Sequence, residues 1–136
     1  MVRRATLEDI PDLVDMGRKF HAQSKMLCGF DPVASAGILE GMINSDAATV
    51  IRSDSGGIGG ILNPAYCDPS WVMAVELFWW ADDRQGLKLI NEFEKWAKSM
   101  NANEVRMTSL QAIPRSAEIL DRRGYIRSEI SHQKVI

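Results

Sequence analysis

Residues 71–80, WVMAVELFWW, form an apolar run that contains one ionisable side chain, Glu76. The run is apolar at both sets of alternating positions, as a strand buried on both faces of a sheet requires. In a chain of 136 residues such a strand has to lie at the centre, with the remaining elements covering it. NPAYCDPS precedes it as a loop with two prolines, and ADDRQG leads from it into an amphipathic helix. In that helix Leu89, Phe93, Trp96 and Met100 make one stripe, with Ile90 and Ala97 beside it. Glu94 and Lys98 are spaced as an i,i+4 ion pair on its wet side.

The other elements follow from the same periodicities. VRRA is a short strand, and TLED opens a helix over about residues 7 to 22 in the manner of a capping box, with Ile10, Leu13, Val14, Gly17 and Phe20 at helical spacing. A second helix runs from Pro32 or Val33 to Met42, with Val33, Ile38, Leu39 and Met42 inward. AATVIR and IGGIL read as a hairpin about the turn SDSGG. EVRMTSL is a further strand, Pro114 starts a last helix, and Gly124 ends it. YIRSE and SHQKVI close the chain as two short strands. The order is β-α-α-β-β-β-α-β-α-β-β, one α/β (α+β mixed-sheet) domain over residues 1–136.

Several function classes are disfavoured at once. A formal charge of −2 provides no broad basic field for nucleic acid. Cys28 and Cys67 stand far apart with no Cys/His cluster, which predicts free thiols in a reducing cytoplasm and no metal site. No apolar run reaches the roughly 18 residues of a membrane helix, and MVRRATLEDI does not read as a signal peptide.

The corner WWADDRQG has two readings. A strand, a tight loop and a helix N-terminus present free N–H groups and a favourable dipole to a phosphate. Asp82 and Asp83 also suit a helix start with nothing bound. Glu76 likewise has two readings. Among apolar neighbours, on the strand face shared with Ala74 and Phe78, its pKa rises into the range of a general base. Alternatively it forms a structural ion pair with Arg106.

Four stretches together carry a family resemblance: VRRATLEDIPDLVDM, GGIGGIL, VELFWWADDRQG and AEILDRRGYIRSE. In this order they resemble the GCN5-related N-acetyltransferase superfamily over nearly the whole chain, and the short chain with RKFHAQS and ELFWW is similar to its compact phage-encoded members. The resemblance implies acetyl-CoA as co-substrate and no metal. It places pantetheine and carbonyl contacts at Leu77, Phe78 and Trp79, and diphosphate contacts at Arg84, Gln85, Gly86, Leu87, Lys88 and Leu89. Glu76 becomes the base, acting through water, and Tyr125 a candidate acid. Ser109, Ser116 and Tyr66 are further hydroxyls for that role. The chain departs from the family at the loop glycines and at Leu120, where many members carry a tyrosine.

The implied function is transfer of acetyl from acetyl-CoA to a primary amine of a small molecule or protein. The alternative is a module of the same fold that binds CoA or a protein partner without efficient transfer. Exposed strand ends such as SHQKVI permit a homodimer.

Overall fold

The computed structural model describes all 136 residues. Five strands form one sheet in the spatial order of the sequence: β1 (Arg3–Arg4), β2 (Ala48–Arg52), β3 (Gly56–Ala65), β4 (Asp68–Ala81) and β5 (Glu104–Arg106). Neighbours are antiparallel except β4 and β5, which run parallel. A parallel pair needs a crossover, and α3 (Gly86–Ser99) supplies it. The other helices are α1 (Ile10–Ser24), α2 (Pro32–Ile43) and α4 (Pro114–Arg122), with a 3₁₀ turn at Leu7–Asp9 leading into α1.

Two cores sandwich the sheet. On one face Leu13, Val14, Leu39 and Met42 of α1 and α2 pack on Ala48 and Val50. On the other, Leu89, Phe93, Trp96 and Ala97 of α3 pack on Ile51, Ile58 and Ala74. The glycines of β3 let these layers approach. A Cβ on Gly60 would stand 2.5 Å from the Phe93 ring, so only glycine admits that side chain over the sheet.

The edge beside α1 is held by charge. Asp9 is buried and accepts from Arg3 at 2.7 and 2.8 Å, from Arg52 at 2.9 Å and from the Thr6 N–H at 2.8 Å. The Asp9 N–H donates to the Thr6 carbonyl at 3.0 Å, and the Thr6 hydroxyl donates to the Asp9 carboxylate. The Arg3 hydrogen bonds hold the Asp9 carboxyl well below its ordinary value against the opposing effect of burial, with the Thr6 N–H and Arg52 adding to them. This binds β1, the start of α1 and β2 into one unit.

Four expectations require correction. Leu39 and Met42 of α2 are buried, but Val33 and Ile38 are 82% and 63% exposed. The helix is apolar almost all round, so periodicity could not choose its inner face. NPAYCDPS is the tip of a hairpin rather than a loop, because β3 extends to Ala65 and β4 starts at Asp68, with an irregular register beside Pro64. Glu94 ignores Lys98 and instead accepts from Arg123 at 2.8 Å and from the Tyr125 hydroxyl at 2.9 Å. The closing strands do not form either. Residues Ile126–Ile136 make no backbone–backbone hydrogen bond, and Ile126, Ile130, Val135 and Ile136 are exposed. The neighbouring β5 is three residues long, too short a template to order a strand pair beside it.

Candidate active site at the fork between β4 and β5

Two irregularities open the sheet midway along β4. In the β3–β4 register Gly59 opposes Phe78 and Gly60 opposes Glu76, which leaves Leu77 without a partner. This is a β-bulge, and it reverses the alternation beyond it. The Phe78 ring lies over Gly59 beside Met42, on the α1–α2 face, while Trp79 packs with the α3 core. Regular alternation predicts one face for Ala74, Glu76 and Phe78. The bulge takes Phe78 off it and leaves Glu76 opposite Gly60, on the face of Phe93.

The second irregularity is the parting of β4 from β5. The strands pair only at Met73↔Glu104, Ala74↔Val105 and Val75↔Arg106. One step further on, the Thr108 N–H donates to Glu76 Oε2 at 3.0 Å. Glu76 is 7% exposed, and burial pushes its carboxyl up to about 7, with the Thr108 N–H drawing it partway back. No cation neutralises it. Arg106 pairs with Glu104 at 3.1 Å and Glu129 at 2.7 Å, so the ion-pair reading of Glu76 does not hold. A buried, uncompensated carboxyl that titrates near neutrality, at a break in a sheet, has the properties of a general base.

Beyond β4 the chain turns sharply into α3. Arg84 adopts φ 61° and is exposed, and Gln85 precedes the first turn without a side-chain cap. Asp83 accepts from the Ser55 N–H at 2.8 Å and the Gln85 N–H at 3.1 Å, tying the corner to the β2–β3 turn. Burial works to raise the Asp83 carboxyl, but these two N–H groups help to hold it below its ordinary value. The Trp79 indole N–H donates to the Gly86 carbonyl at 3.1 Å. Leu89 donates its N–H to the Gln85 carbonyl at 3.0 Å and buries its side chain completely. Of the amides from Gln85 to Leu89, those of Gly86, Leu87 and Lys88 have no partner inside the helix, as its geometry dictates. Leu87 is half-exposed and Lys88 exposed beside them.

Tyr125 reaches back to α3. Its hydroxyl donates to Glu94, and burial together with that carboxylate raises the phenol well above its ordinary value. Leu120 is buried. Ser116 donates to the Ile113 carbonyl at 2.7 Å. Tyr66 sits fully exposed at the hairpin tip, six residues beyond the Gly60 that pairs with Glu76, or roughly 20 Å away at about 3.3 Å per residue. Ser109, exposed and adjacent to Thr108, is the hydroxyl closest in sequence to the fork. The feature of this candidate site that sequence reasoning missed is the Thr108 N–H. A main-chain donor leaves no mark in side-chain patterns, and nothing in EVRMTSL could have singled it out.

The same architecture recurs among solved structures. A protein from Clostridium acetobutylicum described as a predicted acetyltransferase with acetyl-CoA superposes with TM-score 0.77 at 9% identity, covering 99% of this chain and 95% of that one. An aminoglycoside acetyltransferase from an uncultured soil sample, in complex with sisomicin, gives TM-score 0.73 at 15% identity, covering 100% and 95%. Glucosamine-6-phosphate N-acetyltransferase from Arabidopsis thaliana gives 0.71 at 12% identity, covering 99% and 97%. No protein-family model matches the sequence, and no curated protein sequence matches it. The likeness spans essentially the whole of each chain, so this molecule shares its fold with solved structures described as acetyltransferases.

Proposed function

We propose that the protein is an acetyl-CoA-dependent N-acetyltransferase whose reaction takes place at the β4–β5 fork. The observation that carries this reading is Glu76, buried and without a cation where the strands part. Acetyl transfer from a thioester needs an amine that has lost a proton, donors for the developing oxyanion, and room for the thioester. Glu76 accepts the proton, directly or through one water. The bulge at Leu77 frees main-chain groups beside it for the carbonyl and pantetheine arm. At the mouth of the cleft the Gly86, Leu87 and Lys88 amides suit the diphosphate, with Arg84 and Lys88 adding charge. Gln85 and Leu89 contribute through the shape of the corner, since their N–H groups are engaged within the protein. The departing thiolate takes its proton from water or from Ser109. The acceptor is a primary amine of a small molecule or protein.

Calorimetric titration with acetyl-CoA, followed by thiol release against an amine panel, tests the proposal. Micromolar binding with release of CoA thiol is the expected result, with kcat/KM rising through about pH 7 as Glu76 ionises. Glu76→Gln should bind acetyl-CoA equally well and turn over about 10²- to 10⁴-fold more slowly, the usual worth of a general base. Absence of binding by the intact protein would overturn the reading. A second reading, a module that binds CoA without transfer, draws on the buried Leu120 and the engaged Tyr125 hydroxyl. Binding without thiol release, and without any effect of Glu76→Gln, would select it.

A further inference from the structure

Arg84 holds a left-handed backbone, φ 61°, although it is not a glycine. Lys25 and Asn101 do the same, but each follows the last turn of a helix, where such a residue is ordinary. Arg84 instead precedes a helix, two positions before Gly86 opens α3. An L-residue in this conformation carries a penalty that glycine avoids, so its surroundings have to impose it. The corner ADDRQG has its glycine at 86 and none at the bend itself.

The groups that impose the bend lie on both sides of Arg84. Asp83 accepts from the Gln85 N–H through Oδ1 at 3.1 Å and from the Ser55 N–H through Oδ2 at 2.8 Å. One carboxylate thus spans Arg84 and fastens it to the β2–β3 turn. The Asp82 N–H donates to the Ser55 carbonyl at 3.0 Å, a second tie to the same turn. The Ser53 hydroxyl, 1% exposed and bonded to nothing else, also helps to keep the Asp83 carboxyl ionised. Gly56 seats the turn on the end of β4, since a Cβ there would stand 2.6 Å from the Trp80 carbonyl oxygen.

We infer that Asp83 is a positioning residue for the coenzyme, a clasp on the β2–β3 turn that replaces a glycine at position 84. This rests on the acetyltransferase reading, in which the Gly86, Leu87 and Lys88 amides hold the diphosphate. Those amides follow directly on the bend, so its shape sets where they point. Electrostatics alone predicts the opposite effect. A carboxylate beside a diphosphate repels it, so removing Asp83 would tighten binding if charge were its only contribution.

A double-mutant cycle read by calorimetric titration with acetyl-CoA separates the two. Asp83→Ala should weaken binding about tenfold, or about 1.4 kcal/mol, while kcat at saturating acetyl-CoA stays within about twofold. In an Arg84→Gly background the same substitution should cost less than about threefold, because glycine adopts the bend without a clasp. Any loss from removing the Arg84 charge is common to both proteins of that background and cancels in the cycle. Should Asp83→Ala fail to fold, Asp83→Asn carries the cycle with a smaller loss, about threefold, since the amide keeps one acceptor oxygen for two N–H groups. Unchanged or tighter binding in the Asp83 variants, or an equal loss in both backgrounds, would overturn the clasp and leave the acetyltransferase reading standing. A native protein that binds no acetyl-CoA would overturn both.

Discussion

Glu76 carries an energetic cost that its surroundings make measurable. The folded protein keeps a proton on this carboxyl up to about pH 7, while the unfolded chain releases it near the ordinary value of 4.5. Between those values the folded state binds more protons, so stability falls as pH rises, by linkage about 3 kcal/mol in all. Glutamine does not titrate. Glu76→Gln should therefore gain stability relative to the native protein between pH 4 and pH 8, by about that amount. Urea unfolding at a series of pH values checks this, and a difference that does not vary with pH would contradict it. The residue was conspicuous in the sequence as the lone charge of WVMAVELFWW. Its partner was not legible, because Arg106 offered an obvious cation and the main-chain N–H of Thr108 offers no side-chain signal. The partner of Tyr125 was hidden for a related reason. Sequence adjacency to the turn at Gly124 placed it near the chemistry, while the long-range contact with Glu94 commits its hydroxyl elsewhere.

Among the elements, those with strong periodicity or explicit end signals appear where the sequence indicates. Asp31 caps α2 by accepting from Val33 and Ala34 at 3.0 Å, and Pro114 opens α4. The α3 stripe of Leu89, Phe93 and Trp96 is buried as its spacing requires. Elements without such signals are misjudged: α2 offers no polar face to orient it, and the last two strands have alternation but no adequate neighbour. The clamp at Asp9 makes a prediction at this scale. Asp9→Ala leaves the buried Arg52 without its main partner, which should cost about 3–5 kcal/mol. In the native protein the depressed Asp9 carboxyl lends stability above its ordinary value of 3.8. That contribution is lost as pH falls below it, so acid unfolding of the native protein should be steeper than that of Asp9→Asn. Chemical denaturation at pH 7 and pH 3 measures both effects.

At the scale of the whole molecule, the mixed sheet and its glycine-rich hairpin were legible from the order of elements, though that order carried two closing strands that do not form. The fork was not, since bulges and broken ladders depend on tertiary packing rather than on local pattern. Ligand should stabilise the molecule appreciably under the proposed function. Acetyl-CoA at about a hundredfold excess over Kd adds about 2.7 kcal/mol, or roughly 5–10 °C in Tm for a chain of this size, readable by scanning calorimetry. An unchanged Tm would count against binding to the folded state. The three register pairs joining β4 to β5 have a further consequence. The C-terminal quarter, from Glu104 on, joins the sheet along that short seam and is latched to α3 where Arg123 and Tyr125 meet Glu94. A coenzyme lying across that seam would add a further fastening, so occupancy would tighten the join between this quarter and the sheet.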